Sequence, residues 1–221
     1  MATWLVVAAE AREFSGLLKR FGPAAKAQVN GARFARRILR DQVEWLLVAN
    51  GPGPRCVEEI FRQKMDVDGI INTGFCGALD PSLRIGDVVV WGDAPVATKL
   101  PFVRGEISSS DRVIVTVEEK RQLRNQTGAI AAEMEAGAVK KFALDQNVPF
   151  YCVRAVSDTA QEDMPLDFNL YRDSQGRFSL PRIALAAVSR PFTRIPALRR
   201  LEANCNVASE SLGAFFADCR F

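Results

Sequence analysis

The chain has 221 residues, enough for one sizeable α/β core and short for two, and its 48% hydrophobic and 25% charged residues suit an ordered globular protein. A net charge of +3 without a strongly basic block argues against polymeric nucleic acid as a partner, and with no stretch long and apolar enough for a membrane span, a cytoplasmic protein is expected. The chain contains no histidine, and its five cysteines form no C-x-x-C pair. That removes Ser-His-Asp and Cys-His catalysis, H-E-x-x-H sites and structural zinc; neither a metal nor an organic cofactor is expected, and any acid or base must be a carboxylate, Lys, Tyr or Cys.

Residues 4–9 are apolar, lack a preceding positive region and run straight into acidic residues, so they read as a first strand rather than a signal peptide. Residues 33–39 and 42–48 have the spacing of a hairpin, with 45–49 a buried strand, and a helix is predicted over 53–64. Further strands are predicted at 69–72, 87–91 and 150–156. Strands alternating with helices predict an α/β fold: a single domain, 1–221, of three α/β/α layers around a mixed, largely parallel central sheet. Residues 93–105 hold two prolines and little periodicity, and read as a loop at the sheet edge. Residues 131–144 carry helix formers, with Met134, Ala138 and Phe142 along one face. From Asp158 to Arg177 the chain is polar, as in a long active-site loop or a partly disordered flap. From about residue 180 a basic helical tail is predicted, broken at Pro191 and Pro196, with Arg182, Arg190, Arg194, Arg199 and Arg200 between apolar positions. Its basic face is either simply solvated or makes weak contact with a membrane surface.

Ligands of open α/β sheets collect beyond the carboxyl ends of the strands. The apolar run V-P-F-Y-C-V-R-A-V-S-D ends there on Ser157 and Asp158, although a lone Ser-Asp after a strand is equally explained as the cap of the next turn. Three other segments are weighed with it, the first of them facing the same edge. A-A-E-A-R-E-F follows the first strand and carries Glu13; N-T-G-F-C-G-A-L-D-P follows the strand at 69–72, its Gly74 and Gly77 permitting tight turns and close backbone approach; A-E-M-E-A-G-A carries Glu133 and Glu135. Both glutamates have a plain reading as exposed helix residues, which suits Glu133 better.

Together, T-G-x-x-G-x-L-D-P-x-L-x-x-G-D-V-V from Thr73, E-M-E-A-x-A from Glu133 and V-P-F-x-x-V-R-x-x-S-D from Val148 resemble the nucleoside phosphorylase and nucleosidase family over most of residues 3–160. That family includes purine nucleoside phosphorylase, uridine phosphorylase and methylthioadenosine/S-adenosylhomocysteine nucleosidase. The resemblance implies that Asp158 donates a proton toward N7 of a purine leaving group as the ribosyl carbon becomes oxocarbenium-like. It implies that Glu135 accepts the ribose hydroxyls with Met134 against the sugar, and that Gly74, Phe75 and Ser157 border the substrate. Val113 and Ile114 fall in the base-binding loop, where they also read as ordinary core residues.

In the phosphorolytic branches an Arg near the first strand, an Arg before the T-G run and a Ser or Thr inside it hold phosphate; here the corresponding residues are Glu13, Asn72 and Phe75. A carboxylate at Glu13 repels phosphate and is suited to deprotonating water, so an N-ribosyl hydrolase acting on a purine nucleoside or nucleoside-bearing metabolite is expected. Arg12 and Arg55 keep a phosphate-dependent phosphorylase open, and a non-catalytic nucleoside-binding relative is the third reading. Phe75, and a segment between Val90 and Ile107 shorter than in a typical methylthioadenosine nucleosidase, depart from the hydrolytic branch. The compact middle, the G-F-C-G-A-L turn and the Arg- and Pro-punctuated tail are similar to the hopanoid-associated phosphorylase-like proteins, proposed to remove adenine from an adenosylated hopanoid lipid. Family members are commonly homo-oligomers, and a homodimer is expected.

Overall fold

A computed structural model describes residues 1–62, 64–92 and 96–220 of the chain. In chain order its elements are β1 (Thr3–Ala8), α1 (Ser15–Phe21), β2 (Ala25–Lys26), β3 (Phe34–Arg40), β4 (Val43–Ala49), α2 (Pro54–Ile60), β5 (Gly69–Ala78) and β6 (Val88–Trp91). There follow β7 (Val103–Gly105), β8 (Ile107–Ser109), α3 (Val117–Thr127), β9 (Ala131–Glu133), α4 (Ala136–Gln146), β10 (Phe150–Asp158), α5 (Leu180–Val188) and α6 (Pro191–Asp218).

The centre of the sheet is parallel: β1 lies between β4 and β5, and β10 pairs with the far side of β5. Strands covered on both faces need apolar residues at every position, and β1 and β10 are such runs. Alternation then divides the interior. Val6 and Ala8 of β1 face a core built with Phe14, Leu17, Leu212, Phe215 and Phe216, whereas Leu5 and Val7 face one built with Val57, Ile60, Val139 and Ala143. This is the expected α/β/α arrangement with a mixed, largely parallel sheet. Its antiparallel members are β3 on β4, β2 on β3, β6 on β10 and β9 on β5. The β3–β4 hairpin turns on Asp41 and Gln42, both with positive φ as a tight two-residue hairpin demands.

Three expectations need correction. The predicted helix over 131–144 starts only at Ala136, because residues 131–133 pair as β9 with both β5 and β8, and that pairing overrides the helical propensity of A-A-E-M-E. Met134 therefore does not share a helix face with Ala138 and Phe142. The T-G-F-C-G segment is a continuation of β5 rather than a turn after it. Pro196 does not break the last helix: Pro191 occupies its first turn, where a missing N–H is harmless, and α6 continues through Pro196. In its C-terminal half Ala208, Leu212, Phe215 and Phe216 are buried in the main core. There α6 crosses α1 at two glycines; a Cβ on Gly213 would lie 2.3 Å from the backbone of Gly16.

Helix α2 is shorter than the predicted 53–64, and Gln63 lies outside the described residues. Residues 93–95 of the predicted edge loop also lie outside them; the remainder leads into β7. The polar stretch after Asp158 is an ordered loop with a 3-10 turn at Phe168–Tyr171 and a bridge between Arg172 and Phe178. Among the described residues no helix is long and apolar enough to cross a membrane.

Candidate active site

The carboxyl ends of β1, β4 and β10, with the distal half of β5, border a cavity of about 850 Å³. Eight of the nine candidate catalytic and substrate-binding residues line it: Glu13, Phe75, Val113, Ile114, Met134, Glu135, Ser157 and Asp158. Gly74 stands directly behind Glu13 with φ 127°, and a Cβ there would lie 2.6 Å from Glu13 Oε1 and 2.9 Å from an Arg154 nitrogen. Only glycine lets the strand pass this close to the carboxylate.

Glu13 is buried, its oxygens accepting the backbone N–H of Phe75 (2.8 Å) and of Glu10 (2.9 Å). Behind it Arg154, 0% exposed, rises from the middle of β10 and donates to Glu133, Glu135 (3.2 Å) and Asn72. Glu135 in turn accepts the N–H of Gly53 (2.7 Å). Three buried carboxylates thus lie around one guanidinium. Burial pushes Glu135 up to about 7 and raises Glu13, with Arg154 opposing both shifts. Burial alone would lower Arg154, but Glu133 and Glu135 reverse that and hold it raised.

Glu133, expected at the surface, is buried. It accepts the N–H groups of Glu135 (2.8 Å) and Ala136 (2.8 and 3.0 Å), anchoring the start of α4 as well as Arg154. Asn72, the counterpart of a phosphate-binding Arg in the resemblance, is turned into the sheet and donates to the Val7 carbonyl at 3.3 Å. Arg12 stands at the cavity wall paired with Glu10 at 2.7 Å, and Arg55 is exposed on α2.

Asp158 closes β10 with Ser157 Oγ 3.0 Å from its Oδ1. Its Oδ2 accepts from Lys120 Nζ at 2.6 Å, a pairing with no local sequence signal because α3 is polar at almost every position. Gly77 keeps that edge open, since a Cβ there would sit 2.8 Å from Oδ2. Burial raises Cys76 and pushes Cys152 up to about 12, so both stay thiols at neutral pH. Among the described residues no three His, Cys, Asp or Glu side chains are grouped to hold a metal ion.

The base-side loop departs from the expected readout at one point. Val113 lines the cavity, but its N–H and C=O are both taken by the Asn169 side chain at 2.9 Å. Val113 therefore presents only its side chain to the cavity, and its backbone groups are not available there for the expected edge recognition. Away from the carboxylates the wall is apolar, formed by Phe168, Phe178, Leu180, Ile183, Leu198 and Leu201.

A sheet covered by helices on both faces, with an acid ending its last strand and buried carboxylates around an arginine at the same edge, defines a carboxylate-operated small-molecule site. The family model of the phosphorylase superfamily matches residues 6–95 and 93–187. A 5'-methylthioadenosine/S-adenosylhomocysteine nucleosidase of Staphylococcus aureus is 28% identical over 207 residues, covering 75% of this chain and 90% of that protein. Among solved structures, a nucleosidase of the same name from Helicobacter pylori with butyl-thio-DADMe-Immucillin-A aligns at TM-score 0.69 and 17% identity, covering 98% of each chain. Helicobacter pylori futalosine hydrolase aligns at 0.67 and 16%, covering 98% of this chain and 97% of that one. The chain belongs to the phosphorylase superfamily.

Proposed function

We propose that the protein hydrolyses the N-ribosidic bond of a purine nucleoside carrying a large apolar 5'-substituent. Glycosidic-bond cleavage is its chemistry, and the observation favouring water over phosphate is the cluster of Glu13, Glu133 and Glu135 around Arg154. A phosphate dianion beside these carboxylates meets repulsion that a water does not. Glu13, held by two backbone N–H groups, orients the water and takes its proton as oxygen attacks C1'. Asp158 in its acid form gives a proton to N7 while the C1'–N9 electron pair passes to the base. Glu135 accepts the ribose hydroxyls, and in its ionised form, favoured above about pH 7, it stabilises the ribosyl cation.

The 5'-substituent follows from the cavity. Its 850 Å³ lies toward the upper end of the roughly 300–1,000 Å³ usual for small-molecule sites, and its outer wall is apolar. This supports an extended hydrocarbon group, in keeping with the likeness to the hopanoid-associated branch. Beside that wall, residues 180–201 hold five arginines and no acidic residue. Leu180, Leu185 and Phe192 there are 73, 71 and 94% exposed. Such a surface suits a cytoplasmic enzyme that meets a lipid-borne substrate at an anionic membrane. A homodimer is the assembly implied by the family resemblance, and the mass in solution measures it.

The deciding experiment is chromatography of free base from adenosine, inosine, methylthioadenosine and 5'-alkylthioadenosines of increasing chain length, each with and without phosphate. Base with free ribose in the absence of phosphate, and kcat/KM rising with chain length, is the expected result. Strict phosphate dependence with ribose 1-phosphate overturns hydrolysis; a rate that falls with chain length overturns the apolar substituent. Sedimentation with phosphatidylglycerol vesicles that is lost at high salt is the matching result for the membrane surface.

A further inference from the structure

Lys120 is the one buried residue of α3, only 1% exposed on an otherwise polar helix. An ammonium withdrawn from water persists only where its charge and donors are met. All three of its N–H donors are used: Asp158 Oδ2 at 2.6 Å, the Thr159 carbonyl at 2.7 Å and the Glu162 carbonyl at 3.0 Å. None is left for a substrate, although Lys120 borders the cavity.

The two carbonyls alone would make Lys120 a latch for the loop after β10. The third donor is aimed at the acid itself. When the Asp158 proton passes to N7, a carboxylate is left in a partly enclosed pocket, and an ammonium at 2.6 Å stabilises the charge formed at that moment. The same bond fixes the rotamer of Asp158. We infer that Lys120 is a positioning residue for leaving-group departure: it holds Asp158 at the base and stabilises the carboxylate that proton donation creates. The inference rests on the hydrolytic reading above.

Leaving groups separate this role from a structural one. A purine needs protonation to depart, whereas the phenolate of p-nitrophenyl riboside does not. Lys120→Met is expected to lower kcat on the purine riboside at least 10-fold with KM little changed, and to leave p-nitrophenyl riboside cleavage within about 3-fold of wild type. Lys120→Gln, which keeps an N–H donor without the charge, is expected to follow Lys120→Met. Adding Lys120→Met to Asp158→Asn should cost no further purine activity, because the two residues act as one unit. Equal losses on both substrates, or no loss on either, overturn the role of Lys120 alone. A wild type that cleaves neither riboside overturns the functional reading and this inference with it.

Discussion

Glu13 is held between opposing influences. Burial favours its neutral form, while Arg154 and two backbone N–H donors favour the carboxylate, and burial prevails so that its pKa is raised above the usual 4.5. A base must be ionised to accept a proton from water, so activity is lost as the pH falls through that raised value. The acid limb of the pH profile of kcat/KM is therefore expected above 4.5, and Glu13→Gln should abolish turnover. A limb at or below 4.5 would show that another group activates the water. The cavity-lining positions of Asp158 and Glu13 were legible because one ends an apolar run and the other follows the first strand, where a strand delivers polar residues to the sheet edge; Glu135 was singled out only by the E-M-E-A resemblance, on a segment that reads as helix. Arg154 offered a readable signal that went unused, since an arginine inside an otherwise apolar buried strand demands counter-charges nearby. Glu133 was misplaced because helix propensity carries no information about long-range strand pairing. Lys120 was illegible: V-E-E-K-R-Q-L-R-N-Q-T does not distinguish its inward-facing polar residue from the others.

The junction between β9 and α4 converts a change of secondary structure into a site. Strand pairing ends at Glu133 and the helix begins at Ala136, so Met134 alone separates the carboxylate that anchors Arg154 from Glu135, which lines the cavity. At the same junction Glu133 satisfies the first free N–H groups of α4, a favourable place for negative charge at a helix N-terminus. Glu133→Ala removes both functions and leaves Arg154 buried with fewer partners. A loss of about 3–5 kcal/mol is expected from the urea midpoint, with Glu133→Gln recovering part of it through its amide oxygen. A loss below about 1 kcal/mol would mean that Asn72 and Glu135 alone suffice for the arginine.

Across the whole molecule, α6 joins the structural core to the apolar side of the cavity. Its C-terminal half packs Leu212, Phe215 and Phe216 into the sheet, while Leu198 and Leu201 face the cavity and Phe192 projects into solvent. The crossing at Gly16 and Gly213 has no room for a methyl group. Gly213→Ala is expected to destabilise by at least about 1–3 kcal/mol, seen as a lowered Tm. An unchanged Tm would show that α6 repacks freely. The length of that helix gives the crossing leverage over the cavity wall at Leu198 and Leu201. At 1.5 Å per residue, Phe192 lies about 32 Å along the axis from Gly213, so a tilt of about 5° at the glycines sweeps it through about 3 Å. The placement of the Leu198 and Leu201 wall is thus set from the far end of a rod, by two glycines that do not themselves line the cavity.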